Sequence, residues 1–230
     1  MELTGRYRHE LKYQIHYSDY LALRQRLRPV MRSDPHCRAD GTYQIRSIYF
    51  DNVYDKALRE KVDGIQKREK FRIRYYNDSF SFLTLEKKIK HNNLCMKVDA
   101  PISEEECRRL LSGDLVWMVG HPQPLVQELY CKMKSQQLRP RVLVSYLREP
   151  YIYAPGNVRV TFDSQIRTTL FHGTFLEPEV WDVSAQERPG EMILEVKYDA
   201  FLPEIIAHLL QCEGLRQQAF SKYGACRRFG

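Results

Sequence analysis

The hexapeptide Phe71-Arg72-Ile73-Arg74-Tyr75-Tyr76 alternates apolar and cationic side chains. Successive side chains of a β-strand point to opposite faces, so Phe71, Ile73 and Tyr75 share one face and Arg72 and Arg74 the other. Two guanidiniums about 6 Å apart at an effective dielectric of about 20 repel by roughly 3 kcal/mol. Water lowers that cost, and a bound polyanion reverses it. A single strand of this kind fits any solvated sheet face, so the weight falls on recurrence.

The pattern recurs along the chain. Between Arg6 and His16, residues Arg6, Arg8, Glu10, Lys12, Gln14 and His16 oppose Tyr7, Leu11, Tyr13 and Ile15, with His9 among the latter. Tyr43 to Asp51 reads as a second strand. Asn77-Asp78 turns the opening strand into Phe80 to Ile89, where Glu86, Lys88 and Lys90 oppose Leu83, Leu85 and Ile89. After Asn92-Asn93, Lys97 and Asp99 alternate with Met96 and Val98. Arg139 to Tyr153 contains Tyr146 and Arg148. Val158 to Asp163 sets Arg159, Thr161 and Asp163 against Val158, Val160 and Phe162. In Glu191 to Tyr198, Glu195 and Lys197 oppose Met192, Leu194 and Val196. Helices are expected from Asp19 to Arg28 behind a Ser18 cap, over Tyr54 to Val62, after Ser103 and from Pro124 to Gln136. Two more are expected, from Pro203 to Cys212 and from Leu215 to Tyr223. Residues 165–190 hold one or two short strands.

Hairpin connections make the sheet antiparallel. A half-buried sheet with its charged face in water gives the same alternation. Two features favour closure. The polar faces carry arginine more than Thr or Ser, and the interspersed helices cover an apolar exterior. The expected fold is therefore α+β: a closed antiparallel β-barrel tunnel of about eight strands, charged faces inward, helices packed outside. No linker or repeat divides the chain, so residues 1–230 read as a single domain. The net charge of +7, from 36 basic and 29 acidic residues, suits an anionic partner. Arginine's fork matches phosphate oxygens, so phosphate chains fit such a lumen best. The six cysteines form no CxxC pair, which disfavours zinc and a disulfide framework. No leader follows Met1, and no apolar run reaches the ~20 residues of a membrane span. A cytoplasmic location is expected.

Carboxylates among these cations either neutralise their neighbours or hold a divalent cation that bridges phosphate oxygens. Glu10, Glu86 and Glu195 are the candidates. There is no P-loop, dinucleotide-binding glycine motif, Ser-His-Asp set or kinase signature. No groove-entering motif or base-stacking set points to nucleic acid.

Arg8-His-Glu-Leu-Lys12-Tyr13, Ser47-Ile-Tyr-Phe-Asp-Asn52, Phe71-Arg-Ile-Arg-Tyr75, Leu85-Glu-Lys-Lys88, Leu194-Glu-Val-Lys197 and Phe220-Ser-Lys-Tyr223 occur in this order. Together they resemble the VTC domain, the polyphosphate polymerase domain of vacuolar transporter chaperone complexes and bacterial relatives, within the triphosphate tunnel metalloenzymes. The resemblance covers nearly the whole chain. It implies phosphate contacts for Lys12, Arg72, Arg74, Lys88, Lys97, Arg148, Arg159 and Lys222, with Tyr146 and Ser221 as polar contacts. It also implies a Mn²⁺- or Mg²⁺-binding role for Glu195, with Lys197 on the same strand face. Two positions depart from the pattern. The wider superfamily opens with ExExK, where this chain has Arg8, and the polymerase branch tends to carry a lysine where this chain has Ala219.

The expected activity is transfer of the ATP γ-phosphoryl group to a growing polyphosphate chain, catalysed by Lys12, Arg72, Arg74, Lys88, Arg148, Arg159 and Lys197. In that reading Lys97, Tyr146, Ser221 and Lys222 bind substrate, and Glu195, Glu10 and Glu86 bind metal. The rivals are a tripolyphosphate or nucleoside triphosphate hydrolase and a polyphosphate sensor without turnover. A membrane-protein partner is left open.

Overall fold

A computed structural model describes residues 6–169 and 172–229. The absence of a leader, read from Met1 to Gly5, lies outside the described residues. Among the described residues ten strands form one sheet: β1 (Arg8–Ile15), β2 (Arg32–Ser33), β3 (Tyr43–Asp51), β4 (Lys67–Tyr76), β5 (Ser79–His91), β6 (Leu94–Ile102), β7 (Arg139–Tyr153), β8 (Val158–Thr169), β9 (Val183–Ser184) and β10 (Met192–Tyr198). Eight of them follow one another around a ring in the order β7-β3-β4-β5-β6-β1-β10-β8, and β8 pairs again with β7. Every pairing is antiparallel. The expected tunnel architecture of about eight strands is present as this ring, and among the described residues the join of β6 to β1 is short, with Arg8–Cys95 and His9–Leu94 paired.

Turn chemistry sets the register. Asn77 and Asp78 both have positive φ, as the two-residue β4–β5 turn requires. Gly156, between β7 and β8, has φ +69°, and a Cβ there would lie 2.8 Å from the Phe201 carbonyl oxygen. β8 runs six residues past the expected end at Asp163. An irregularity between Ser145 and Leu147, with Gln165 at φ 50°, moves Ile166 and Thr168 onto the face that Arg159, Thr161 and Asp163 occupy earlier. A bulge of this kind breaks strict alternation without ending a strand.

The outward faces are apolar and helix-covered. Phe71, Ile73, Tyr75, Leu83 and Leu85 pack with Cys107 and Leu110 of α3 (Glu104–Leu111) and with Leu125, Val126 and Leu129 of α4 (Pro124–Ser135). Val160, Phe162, Leu194 and Val196 pack with Leu23 and Leu27 of α1 (Tyr17–Leu27) and Ile206 of α5 (Glu204–Leu209). Ser103 caps α3 in a capping box, as expected. Helix α1 (Tyr17–Leu27) begins earlier than expected: His16, not Ser18, is the N-cap, and its N–H donates to Asp19 Oδ2 at 2.9 Å.

A third apolar cluster lies inside the ring. Tyr49, Val142, Val144, Tyr146, Ile166 and Ile193 enclose Ala57 of α2 (Lys56–Val62) and Tyr223 and Cys226 of α6 (Lys222–Cys226). Part of the interior is thus filled by a short C-terminal helix. The expected helix over Leu215 to Tyr223 is not formed before Lys222. Instead Gln217 bridges Tyr13, and the Gln218 N–H donates to the Lys12 carbonyl at 2.9 Å. These bonds satisfy the edge of β1 that the short β6 pairing leaves open, an outcome local helix propensity does not encode.

Candidate functional site

The ring encloses a cavity of about 680 Å³ whose wall carries, among the described residues, fifteen Lys and Arg side chains and two Glu. Lys12, Arg72, Arg74, Lys88, Lys97, Tyr146, Arg148, Arg159, Lys197, Ser221, Lys222, Glu10 and Glu195 all line it. Of the expected site residues only Glu86 does not. Strand parity places most of them: residues 72 and 74 on β4, 88 on β5, 148 on β7 and 195 and 197 on β10 share the inward face.

The cations are held apart from one another by buried carboxylates and tyrosines. Glu86, 2% exposed, accepts from Arg72 Nε at 2.6 Å and faces Lys97 at 3.2 Å and Arg74 at 3.5 Å. Burial pushes its pKa up, but the two guanidiniums and Lys97 outweigh this and hold it far below the carboxylate range. Arg72 also donates to Tyr49 Oη at 2.8 Å, and Arg74 to Tyr76 and Tyr146, each at 3.2 Å. Each guanidinium lies over a tyrosine ring: Arg72 over Tyr49, Arg74 over Tyr76 and Arg148 over Tyr146, at 5.4–5.6 Å from the centroid. Ring and hydroxyl together fix the fork, and cation–π attraction offsets part of the repulsion.

A second nest joins β1, β8 and β10. Glu10 accepts from Lys88 at 2.6 and 2.8 Å and pairs with Lys12 at 3.1 Å. Glu195 pairs with Lys197, with Lys12 at 3.5 Å and with Arg148 at 4.0 Å. Its carboxyl is lowered well below the usual range: Lys197, Lys12 and Arg148 overcome the opposing effect of burial. Lys12 therefore sits between the two glutamates. Asp163, fully buried, takes Arg148 in a bidentate pair at 2.6 and 2.7 Å and also Lys222. Arg159 donates to Tyr43 Oη and pairs with Asp34, both at 2.7 Å.

Asp163 shares its strand parity with Arg159, and alternation alone gives it no role; the contacts to Arg148 and Lys222 do. Lys70 and Arg68 also fall outside the expected site residues. The alternation continues two steps before Phe71, and both side chains line the cavity. Arg8, where the superfamily pattern has a glutamate, turns to Asp199 at 2.8 Å. Ala219 lines the wall without charge.

Among the described residues no three His, Cys, Asp or Glu side chains converge on a metal position. Glu10 and Glu195, bridged by Lys12, do suit a hard divalent ion of the kind that takes one or two carboxylates and fills its shell with phosphate oxygens. Glu86 lies behind Arg72 and Arg74, and none of its cationic partners bonds Glu10 or Glu195.

The family model described as VTC domain matches residues 7–229. Among curated proteins no sequence match was found. Solved structures share the fold, two of them as follows. A proposed adenylate cyclase from Bacillus halodurans aligns with TM-score 0.50 and 14% identity over 84% of this chain and 81% of that one. A proposed adenylyl cyclase from Hippeastrum, described as having a dominant triphosphatase activity, aligns with TM-score 0.55 and 13% identity over 96% of each chain. At these identities the likeness is one of fold. No helix among the described residues is long and apolar enough to cross a membrane.

Proposed function

Because the chain belongs to the VTC domain family, we propose that it is a polyphosphate polymerase transferring the γ-phosphoryl group of ATP to a growing polyphosphate chain. The observation that carries this reading is the wall itself: fifteen cations against two glutamates around one cavity. An enclosed surface of that charge needs a guest with many anionic oxygens along a narrow path.

Phosphoryl transfer depends on positioning and charge neutralisation, not on a protein nucleophile. Arg72 and Arg74, fixed by Tyr49, Tyr76 and Tyr146, present their forks to phosphate oxygens. Lys12, Lys88 and Lys197 exchange part of their bonding to Glu10 and Glu195 for bonding to the polyanion. Arg148 and Lys222, joined through Asp163, hold a further phosphate beside the Tyr146 and Ser221 hydroxyls, and Arg159 and Lys97 guide the chain. Glu195 with Glu10 would hold Mn²⁺ or Mg²⁺, while Glu86 serves as counter-charge to the arginines. Such an ion, when bound, neutralises charge on the transferring group. The terminal oxygen of the acceptor chain forms the new P–O bond as the bond to ADP breaks. A cytoplasmic location and a membrane-bound partner that removes product belong to the same proposal.

Hydrolysis of tripolyphosphate or nucleoside triphosphate is the second reading. It draws support from the triphosphatase activity described for the Hippeastrum neighbour and from the uncharged Ala219. Incubation with ATP and Mn²⁺ followed by gel separation of products distinguishes the readings. A ladder of long chains is the expected result. Phosphate alone would make the protein a hydrolase, and binding without product a sensor.

A further inference from the structure

The cations deep in the wall come with carboxylates: Arg72 and Arg74 with Glu86, Lys12 and Lys88 with Glu10, Lys197 with Glu195, Lys222 with Asp163. Lys70 does not. Its ammonium lies 3.3 Å from Ser221 Oγ and 5.0 Å from the Tyr223 ring centroid, and among the described residues it makes no ion pair. Lys88 stands directly opposite on β5, Lys12 faces it from β1, and Arg68 is its inward neighbour on β4. Asp51 of β3 is an acidic group that acts on it. That carboxylate is already taken. Asp51 accepts the backbone N–H groups of Asn52, Ala57 and Leu58 and the Tyr223 hydroxyl. Ser221 Oγ likewise already accepts the Gly224 N–H as the cap of α6.

We propose that Lys70 is a further substrate-binding residue of this lumen, and that a phosphate oxygen of the bound chain supplies the counter-charge the protein withholds from it. The inference rests on the polyanion reading above. It assigns to Lys70 what the carboxylates do for the other lysines, with the ligand in place of a glutamate. The neighbouring Ser221 hydroxyl, which has a free hydrogen to donate, sits where it can bond the same phosphate.

The geometry has a titration consequence. Burial, with Lys12, Lys88 and Arg68 around it, pushes the Lys70 ammonium down to about 7. In the empty lumen above that pH the side chain is largely neutral. An arriving phosphate anion restores the ordinary preference for the charged form, so binding takes up a proton.

Calorimetry of tripolyphosphate binding to the full chain at about pH 8, in two buffers of different ionisation enthalpy, reads that proton directly. Lys70→Arg keeps a cation that stays protonated. It should bind comparably while taking up close to one proton fewer than wild type. Lys70→Met keeps the bulk and loses the charge. Its affinity should fall about tenfold or more, the scale of one lost charge-assisted hydrogen bond. Its melting temperature without ligand should hold or rise, because the folded wall no longer strips a proton that the unfolded chain keeps on Lys70. Wild-type affinity in Lys70→Met, equal proton uptake in wild type and Lys70→Arg, or a lower unliganded melting point in Lys70→Met would each overturn the assignment. If wild type itself binds no tripolyphosphate, the polyanion reading fails first and the inference with it.

Discussion

Glu195→Gln should cut turnover by at least about a hundredfold while leaving tripolyphosphate binding intact or tighter. The amide keeps the shape of the side chain and removes its charge. Glu195 is 4% exposed and surrounded by Lys197, Lys12 and Arg148. Without it Lys197 retains only Glu10, at 4.0 Å, so the wall becomes more cationic and holds a polyanion at least as well. Turnover should fall, because under the proposed reading Glu195 holds a metal that acts on charge developing in the transition state more than in the ground state. Affinity by calorimetry and rate by product release, measured on one variant, separate the two effects. Near wild-type turnover with Mn²⁺ would reduce Glu195 to a counter-ion of Lys197 and leave the metal to Glu10.

Asp163→Asn should lower stability by about 3–5 kcal/mol at neutral pH, the range for removing one partner of a buried ion pair. The carboxylate is completely buried and balances two cations, Arg148 through a bidentate pair and Lys222. Burial favours its protonated form, yet Arg148 and Lys222 prevail and hold its pKa below the ordinary aspartate value. A carboxylate depressed by folding stabilises the native state above its unfolded pKa of about 3.9, and that contribution is lost as pH falls through the folded value. Wild type should therefore lose stability on acidification below about pH 4, and Asp163→Asn should show a shallower fall over the same window. Denaturant titrations across that range test both. Stability within about 1 kcal/mol of wild type at neutral pH would show that Arg148 and Lys222 need no fixed counter-charge. Ligand binding should move the other way, since an unbalanced Arg148–Lys222 pair attracts phosphate more strongly.

Much of this site was legible because β-strand parity is a strict rule. Once Arg72 and Arg74 point inward, the neighbouring strands in the same sheet must send alternate residues the same way. The density of cations on those positions then argues for an enclosed polyanion. The misses have physical causes. Lys70 escaped because the strand was started at Phe71, one residue too late to include the next inward position. Asp163 was seen as a polar face, but its partnership with Arg148 and Lys222 depends on β7 and α6 meeting β8, which no local pattern records. The bulge at Gln165 hid the second half of β8, since alternation inverts there. Leu215 to Phe220 has helical composition but is drawn out by the open edge of β1, a tertiary demand that overrides propensity. The apolar part of the ring interior, filled by Tyr223 and Cys226, was invisible for the same reason.

The central claim is that the inward cations form one polyanion site, and thermal unfolding with tripolyphosphate tests it most directly. At about 100 times its dissociation constant a ligand that binds only the folded state adds about 2.7 kcal/mol. For a chain of this size that raises the melting temperature by roughly 5–10 °C. Arg72→Ala with Arg74→Ala removes the two forks that Tyr49, Tyr76 and Tyr146 hold in place, and the shift should shrink toward zero at the same ligand concentration. A melting temperature unmoved by saturating tripolyphosphate with Mn²⁺, or a shift that the double variant retains in full, would contradict the account.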